Sequence, residues 1–208
     1  MAQRLLTSPN QTHEAELWSR GFGLVAGVDE VGRGAWAGPV VAAAVILPRE
    51  VSLPQVRDSK LLTRLQRQRL AVEIKKSALM IGVGWSSSVE IDEVGLSRAL
   101  SQAGERALSN LNADAVLLDG SFNYLVKRHV ETIVRADQCC LNVAAASIIA
   151  KVARDNYMAR VHQRYPEFGF DKNVGYGTKH HIQQISHGLT PLHRRSFKPV
   201  KLASANVG

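Results

Sequence analysis

Residues 24–30, Leu24-Val25-Ala26-Gly27-Val28-Asp29-Glu30, form an apolar run that ends on two adjacent carboxylates, and Gly32-Arg33-Gly34 follows. Such a run reads as a buried strand and the glycines as a turn. A second apolar run, residues 40–47, comes next, so the two read as adjacent strands with acids at the end of the first. Working outward, residues 63–76 form a basic helical stretch with Leu65, Leu70 and Ile74 at roughly helical spacing, and residues 80–85 read as a third strand. From Ser88 the pattern predicts one long helix, with Leu96, Leu100, Ala103, Ala107 and Leu111 as its apolar stripe. Short strands follow at 115–118, stopping at Asp119-Gly120, and at 130–134, leading into Asp137. A second long helix is expected over 143–161, with Ala144, Ala145, Ile148 and Val152 facing inward. Residues 1–20 form a polar lead-in, helical over 14–19. The tail holds a loop over 166–177, a helix over 178–186 and the basic cluster His193-Arg194-Arg195. Three strands followed by strands alternating with helices imply an α/β fold, a mixed sheet flanked by helices.

The chain has 208 residues, 45% of them hydrophobic, which suits one compact domain. Lys and Arg number 26 against 18 Asp and Glu, a formal charge of +8 that favours polyanionic partners. No stretch approaches the roughly 18 apolar residues of a membrane span, and the N-terminus has no apolar core of a signal peptide. A cytoplasmic protein without membrane contact is expected. The two cysteines, Cys139 and Cys140, are neighbours. They are too few for a disulfide framework, and the nearby sequence supplies too few further ligands for zinc, so two reduced thiols are expected.

Four acids stand out: Asp29, Glu30, Asp119 and Asp137, each at or just beyond the end of an apolar strand. Ligands in open α/β sheets bind beyond the carboxyl ends of strands. Burying an unpaired carboxylate costs several kcal/mol, so acids placed there call for a compensating cation or hydrogen bonds. A carboxylate set without interleaved Cys or His suits Mg²⁺ or Mn²⁺. Two such ions roughly 3.5–4 Å apart can activate water and stabilise a leaving oxygen in phosphodiester hydrolysis. Each acid also has an ordinary reading: Asp119-Gly120 as a turn, Asp137 as a cap of the helix that follows. Consecutive strand residues point to opposite faces, so Asp29 and Glu30 reach one site only where the strand ends or bulges, which Gly32 allows.

The block from Gly27 to Gly34, followed by Ala37-Gly38-Pro39-Val40-Val41-Ala42-Ala43-Ala44, resembles the opening signature of ribonuclease HII. The resemblance continues in the family's order through Asp58-Ser59-Lys60, Leu118-Asp119-Gly120, residues 144–155, Gly175-Tyr176-Gly177-Thr178 and His193-Arg194-Arg195-Ser196-Phe197. It implies a ribonuclease H-like core over about 21–165 and a C-terminal helical extension over about 166–208, within one catalytic domain. It also implies a monomeric endoribonuclease acting in ribonucleotide excision repair. That enzyme cuts on the 5′ side of ribonucleotides in RNA–DNA hybrids, and of single ribonucleotides in duplex DNA, by two-metal catalysis with Mg²⁺ or Mn²⁺. The resemblance makes Asp29, Glu30, Asp119 and Asp137 the metal-binding, catalytic acids. Gly32, Arg33 and Gly34 become the reader of the ribose 2′-hydroxyl. Tyr176 would pack on the sugar at the RNA–DNA junction, and Lys60, Ser147 and Lys151 would lie near substrate phosphates. Arg194 and Arg195 fit either backbone contact or simple solvation.

Two stretches depart from the family pattern. Ala35-Trp36 stands where a proline commonly follows Gly-Arg-Gly, and Ala136-Asp137-Gln138-Cys139-Cys140 replaces the usual Gly-Asp-Ser or Gly-Asp-Ala. Only 28 residues precede Asp29, too few for the extra N-terminal domain of the sister family, ribonuclease HIII. Two alternatives stand beside this reading: another nuclease of the same fold, such as a junction resolvase, and a non-catalytic nucleic-acid-binding module. The second leaves four strand-end acids without a purpose.

Overall fold

The computed structural model describes residues 8–126 and 128–205. The first seven residues of the polar lead-in and the last three of the tail lie outside the described residues. Helix α1 (Thr12–Ser19) leads into strands β1 (Val25–Val31) and β2 (Val40–Ile46). Helix α2 (Arg64–Ser77), strand β3 (Met80–Ser86) and helices α3 (Ser88–Val94) and α4 (Leu96–Leu108) follow. Strands β4 (Ala115–Asp119) and β5 (His129–Ile133) precede helix α5 (Leu141–His162) and the short helices α6 (Phe170–Asn173), α7 (Lys179–Ile185) and α8 (Lys198–Ser204).

The five strands form one sheet in the order β3-β2-β1-β4-β5. β1 pairs antiparallel with β2 and parallel with β4, and β4 is parallel to β5. Each face of the sheet is covered, because alternate strand residues point to opposite sides and both sets are apolar. Ala42 and Ala44 pack with α4, while Ala43 and Val45 pack with α2 and α5. Helix α5 lies so close to β1 that a Cβ at Gly27 would overlap the backbone of Asn142 and Val143. That glycine sets the height of α5 over the end of β1, where the acids lie.

Three local expectations change. The single helix expected from Ser88 is broken into α3 and α4 at Gly95, whose φ of +80° no helix accommodates. Leu111 is buried but lies beyond the end of α4. In α2 the inward face is Leu70, Ala71 and Ile74, whereas Leu65 is 67% exposed in the first turn. Thr63 caps that helix, exchanging hydrogen bonds with Gln66, which fixes its start. The expected loop 166–177 contains α6, and Phe168 and Phe170 there join Ala37, Met158 and Ile185 in a small apolar cluster. No helix among the described residues is long and apolar enough to cross a membrane.

Candidate active site

The parallel pairing of β1 with β4 ends at Val28–Leu118, while β1 continues for three residues beside β2. Asp29 and Glu30 therefore stand past the last pair, and Asp119 closes β4 just across the gap. No bulge is involved: Asp29 and Glu30 pair regularly with Ala43 and Ala42. With β4 ended, side chains on both faces of β1 reach round its open flank into one cleft. Of the two alternatives the sequence offered, a strand end or a bulge at Asp29-Glu30, β1 shows neither; the end of its pairing with β4 brings the two acids together instead.

The cleft is lined by Asp29, Glu30, Asp119, Lys60, Ser147, Lys151 and Tyr176, together with Val31 and Ser59. Asp29 is 9% exposed, and its carboxylate accepts from the Glu30 backbone N–H at 2.8 Å. Burial, then the charge of Glu30, and further those of Asp119 and Asp137, push its pKa well above the usual carboxylate range, against the influence of Ser147. Glu30 accepts from the Tyr124 hydroxyl at 2.9 Å and from Arg33 at 3.1 Å. Asp119 accepts from the Ala136 N–H at 2.7 Å, which ties β4 to the 3₁₀ turn Ala136–Gln138 carrying Asp137.

Asp137 is not a helix cap: Cys140 occupies the N-cap of α5 and makes no side-chain capping bond. It is 2% exposed, and its Oδ2 has no hydrogen-bond partner, Lys60 Nζ standing off at 3.7 Å. Burial, then repulsion from Asp58 and Asp119, raises its pKa to about 6. Partial burial opposes the charge on Lys60, but Asp137, Asp58, Asp29 and Asp119 together raise its pKa. Excess negative charge with an unpartnered buried oxygen fits a cation, and an all-oxygen donor set fits a hard one. The acids are not drawn together as in a filled site: among the described residues no trio of them brings its oxygens within 4.8 Å of one another.

Ser147 is buried on α5 and hydrogen-bonds Ser59 at 2.9 Å. Lys151, one turn on, donates to Asp155 at 2.8 Å. Gly32, Arg33 and Gly34 do not line the cleft itself but form its lip, where a side chain at Gly34 would come into van der Waals contact with the Tyr176 ring. Tyr176 is 38% exposed and its ring lies 5.7 Å from the Arg154 guanidinium carbon.

Sequence reading missed what holds this lip. Arg154 and Arg194 are both fully buried. Arg154 donates to the carbonyls of Ala37, Pro39 and Val174, and Arg194 to those of Gly32, Arg33 and Gly38, at 2.7–3.1 Å. Neither reading open for Arg194, contact with the nucleic-acid backbone or simple solvation, describes it: the side chain is buried and spends its donors on the protein's own carbonyls. Residue type gave no signal, because a buried arginine satisfied by carbonyls looks like any surface arginine in a basic chain. Ala35-Trp36 joins the same assembly. The Trp36 N–H donates to Gly175 O at 2.8 Å, and its carbonyl accepts from Arg194 N at 2.8 Å.

Behind Tyr176 runs a chain of neutral imidazoles. His193 Nδ1 accepts from the Thr190 N–H at 2.9 Å, which leaves its Nε2–H to donate to His181 Nε2 at 3.0 Å. His181 Nδ1–H then donates to the Tyr176 carbonyl at 2.9 Å. Burial, then repulsion from His181, lowers the His193 pKa from 6.5 to about 4. An unfolded chain takes up this proton near pH 6.5 and the folded one only near 4, so the stabilisation is lost as pH falls through that window. The melting temperature is expected to drop across it, and to drop less steeply in His193→Gln. An unchanged slope in the variant would assign the loss to other groups.

The family model for ribonuclease HII matches residues 26–200. The chain belongs to the ribonuclease HII family. It is 50% identical over 189 residues to ribonuclease HII of Thermosynechococcus vestitus (strain NIES-2133 / IAM M-273 / BP-1), covering 89% of this chain and 88% of that one. Among solved structures it resembles the ribonuclease H2 of Pyrococcus horikoshii OT3, with a TM-score of 0.77 and 26% identity over 88% of this chain and 98% of that one. It also shares the fold of Bst-RNase HIII, solved in complex with Mn²⁺, with a TM-score of 0.63 and 20% identity over 91% and 72% of the two chains. The mixed sheet is thus the ribonuclease H-like fold, and the protein is a ribonuclease H-type hydrolase with endonuclease activity.

Proposed function

We propose that the protein hydrolyses the phosphodiester bond on the 5′ side of ribonucleotides, in RNA–DNA hybrids and at single ribonucleotides in duplex DNA. The observation that carries this reading is the pairing of the Asp29–Asp119 notch with a rigid lip of Gly32-Arg33-Gly34 and Tyr176. One part handles a phosphate and the other touches a sugar. Asp29, Glu30, Asp119 and Asp137 would hold the divalent cations, Mg²⁺ or Mn²⁺, and the Mn²⁺ complex of Bst-RNase HIII supports that choice. When bound, these cations supply water activation and charge neutralisation at the leaving oxygen. The chain's own groups do the rest. Tyr124 and Arg33 orient Glu30, and Ala136 N–H orients Asp119. Lys60 and Lys151 draw in the phosphates. Arg194 and Arg154 fix the lip carbonyls, so the Gly32–Gly34 backbone meets the 2′-hydroxyl without rearranging. Residues from about 166 onward act as an extension that carries Tyr176 to the cleft.

The test is cleavage of a DNA duplex with one ribonucleotide, beside the same duplex without it, under each metal. Cleavage is expected only with the ribonucleotide, and on its 5′ side; equal cutting of the all-DNA duplex would favour a general or junction-cutting nuclease. Binding should be electrostatic. If about five phosphates are neutralised, raising salt from about 50 to 200 mM weakens duplex affinity by roughly 10²–10³. Salt-independent anisotropy titrations would overturn that.

Tyr176→Ala is expected to spare metal binding and to lower cleavage at a single embedded ribonucleotide by roughly tenfold to a hundredfold, the worth of one stacking contact. Continuous RNA–DNA hybrid should lose less, since it presents no unique junction. An equal loss on both substrates would make Tyr176 a general support of the lip, consistent with its contact to Arg154.

A further inference from the structure

The fold assembles a second ligand set that the sequence did not suggest. His13 on α1 meets Cys139 and Cys140, with one ligand atom from each residue within 4.8 Å of the others. We propose that His13, Cys139 and Cys140 form a binding site for a thiophilic cation of the Zn²⁺ class, separate from the carboxylate cleft.

The sulfur spacing supports this. Cys139 Sγ and Cys140 Sγ lie 3.7 Å apart as free thiols. A tetrahedral ion with bonds to sulfur of about 2.3 Å needs its sulfurs about 3.8 Å apart, so little movement is required. The two segments are already held in register by backbone hydrogen bonds and by the Glu14 carboxylate. Asn10 N–H donates to Cys139 O at 3.1 Å, Leu141 N–H to Asn10 O at 2.9 Å, and Asn142 N–H to Glu14 Oε1 at 2.9 Å. His13 is partly exposed and Cys139 half-buried, while Cys140 is buried, so an ion enters from one side and water completes the fourth position. One carboxylate, Glu16, lies beside the site, and a second, Glu14, is held partly protonated near neutral pH because burial raises its pKa to about 7. Glu16 Oε2 lies 3.7 Å from His13 Nδ1, where it supports a ligating imidazole, and the fully buried Glu14 has an Oε2 with no partner. As each sulfur–metal bond forms, that thiol gives up its proton to solvent.

The donor set separates this site from the other one. Nitrogen and thiolate suit Zn²⁺, whereas carboxylate oxygens suit Mg²⁺ or Mn²⁺. The consequence is mechanical: Cys139 directly follows the turn that carries Asp137, so an ion here would pin that turn to α1.

The experiment uses the full chain with Co²⁺ as the spectroscopic probe and Zn²⁺ as competitor, in buffer containing excess Mg²⁺. Expected is a thiolate-to-Co²⁺ charge-transfer band in the near ultraviolet that saturates at about one equivalent and disappears on adding Zn²⁺. His13→Ala should weaken binding at least tenfold, and Cys139→Ser should strip much of the band. Asp29→Asn should leave the band unchanged. Both His13 and Cys139 are partly exposed, so these variants should stay folded, and thermal melting verifies it. In the unaltered protein Zn²⁺ should raise the melting temperature, and in His13→Ala it should not. Absence of the band, its survival in both variants, or its loss in Asp29→Asn would each overturn the proposal. None of these readouts depends on cleavage, so failure here is distinct from failure of the proposed activity.

Discussion

Replacing Asp29 with asparagine is expected to lower turnover by roughly 10²–10⁴ at saturating Mg²⁺ or Mn²⁺, and Asp119→Asn by a similar factor, since loss of a metal clamp costs several kcal/mol at about 1.4 per decade. The companion readout is stability. The Asp29 carboxylate is buried among Glu30, Asp119 and Asp137, and its pKa is raised. In the metal-free protein near neutral pH its charged form therefore works against folding, and the neutral amide removes that repulsion. The metal-free variant should melt no lower than the unaltered protein while cleaving far more slowly. Near-unaltered turnover would remove Asp29 from the chemistry. A large fall in melting temperature would instead mark it as a structural acid.

Arg194→Ala is expected to destabilise the fold by about 3–5 kcal/mol, because it empties a buried site, leaves the carbonyls of Arg33 and Gly38 without donors and leaves that of Gly32 with only the 3.3 Å bond from the Ala35 N–H. Arg194→Lys should recover only part of this, since one ammonium cannot reproduce three bonds fixed by a planar fork. Urea unfolding of both variants measures it. If lysine restored full stability, the guanidinium geometry would not be what holds the lip. In folded Arg194→Lys, discrimination between ribonucleotide and deoxyribonucleotide substrates should fall more than cleavage of continuous hybrid, because the loosened part reads the sugar. An equal fall would place Arg194 in support of the whole molecule.

The strands and helices were legible in the sequence wherever apolar periodicity is local. The runs before Asp29 and Asp119, the strand 40–46 and helix α5 are each specified by their own residues, so their positions followed from the pattern. The strand-end acids were legible for the same reason: a carboxylate closing an apolar run is conspicuous in one dimension. Where a single residue overrode a pattern, reading by period failed, as at Gly95, which splits a continuous helical signal.

What only the tertiary structure decided are matters of distance between remote segments. That Asp29 and Glu30 share a cleft depends on β4 stopping at Asp119 beside a longer β1, a difference between two strands that neither strand encodes alone. That Arg154 and Arg194 are buried depends on carbonyls contributed by the loop 32–39 and by Val174. The sequence shows a charge but not where its partners lie. His13 is invisible as a companion of Cys139 and Cys140 for the same reason. Local preference is written in neighbouring residues, whereas charge burial and ligand geometry exist only once the chain has closed on itself.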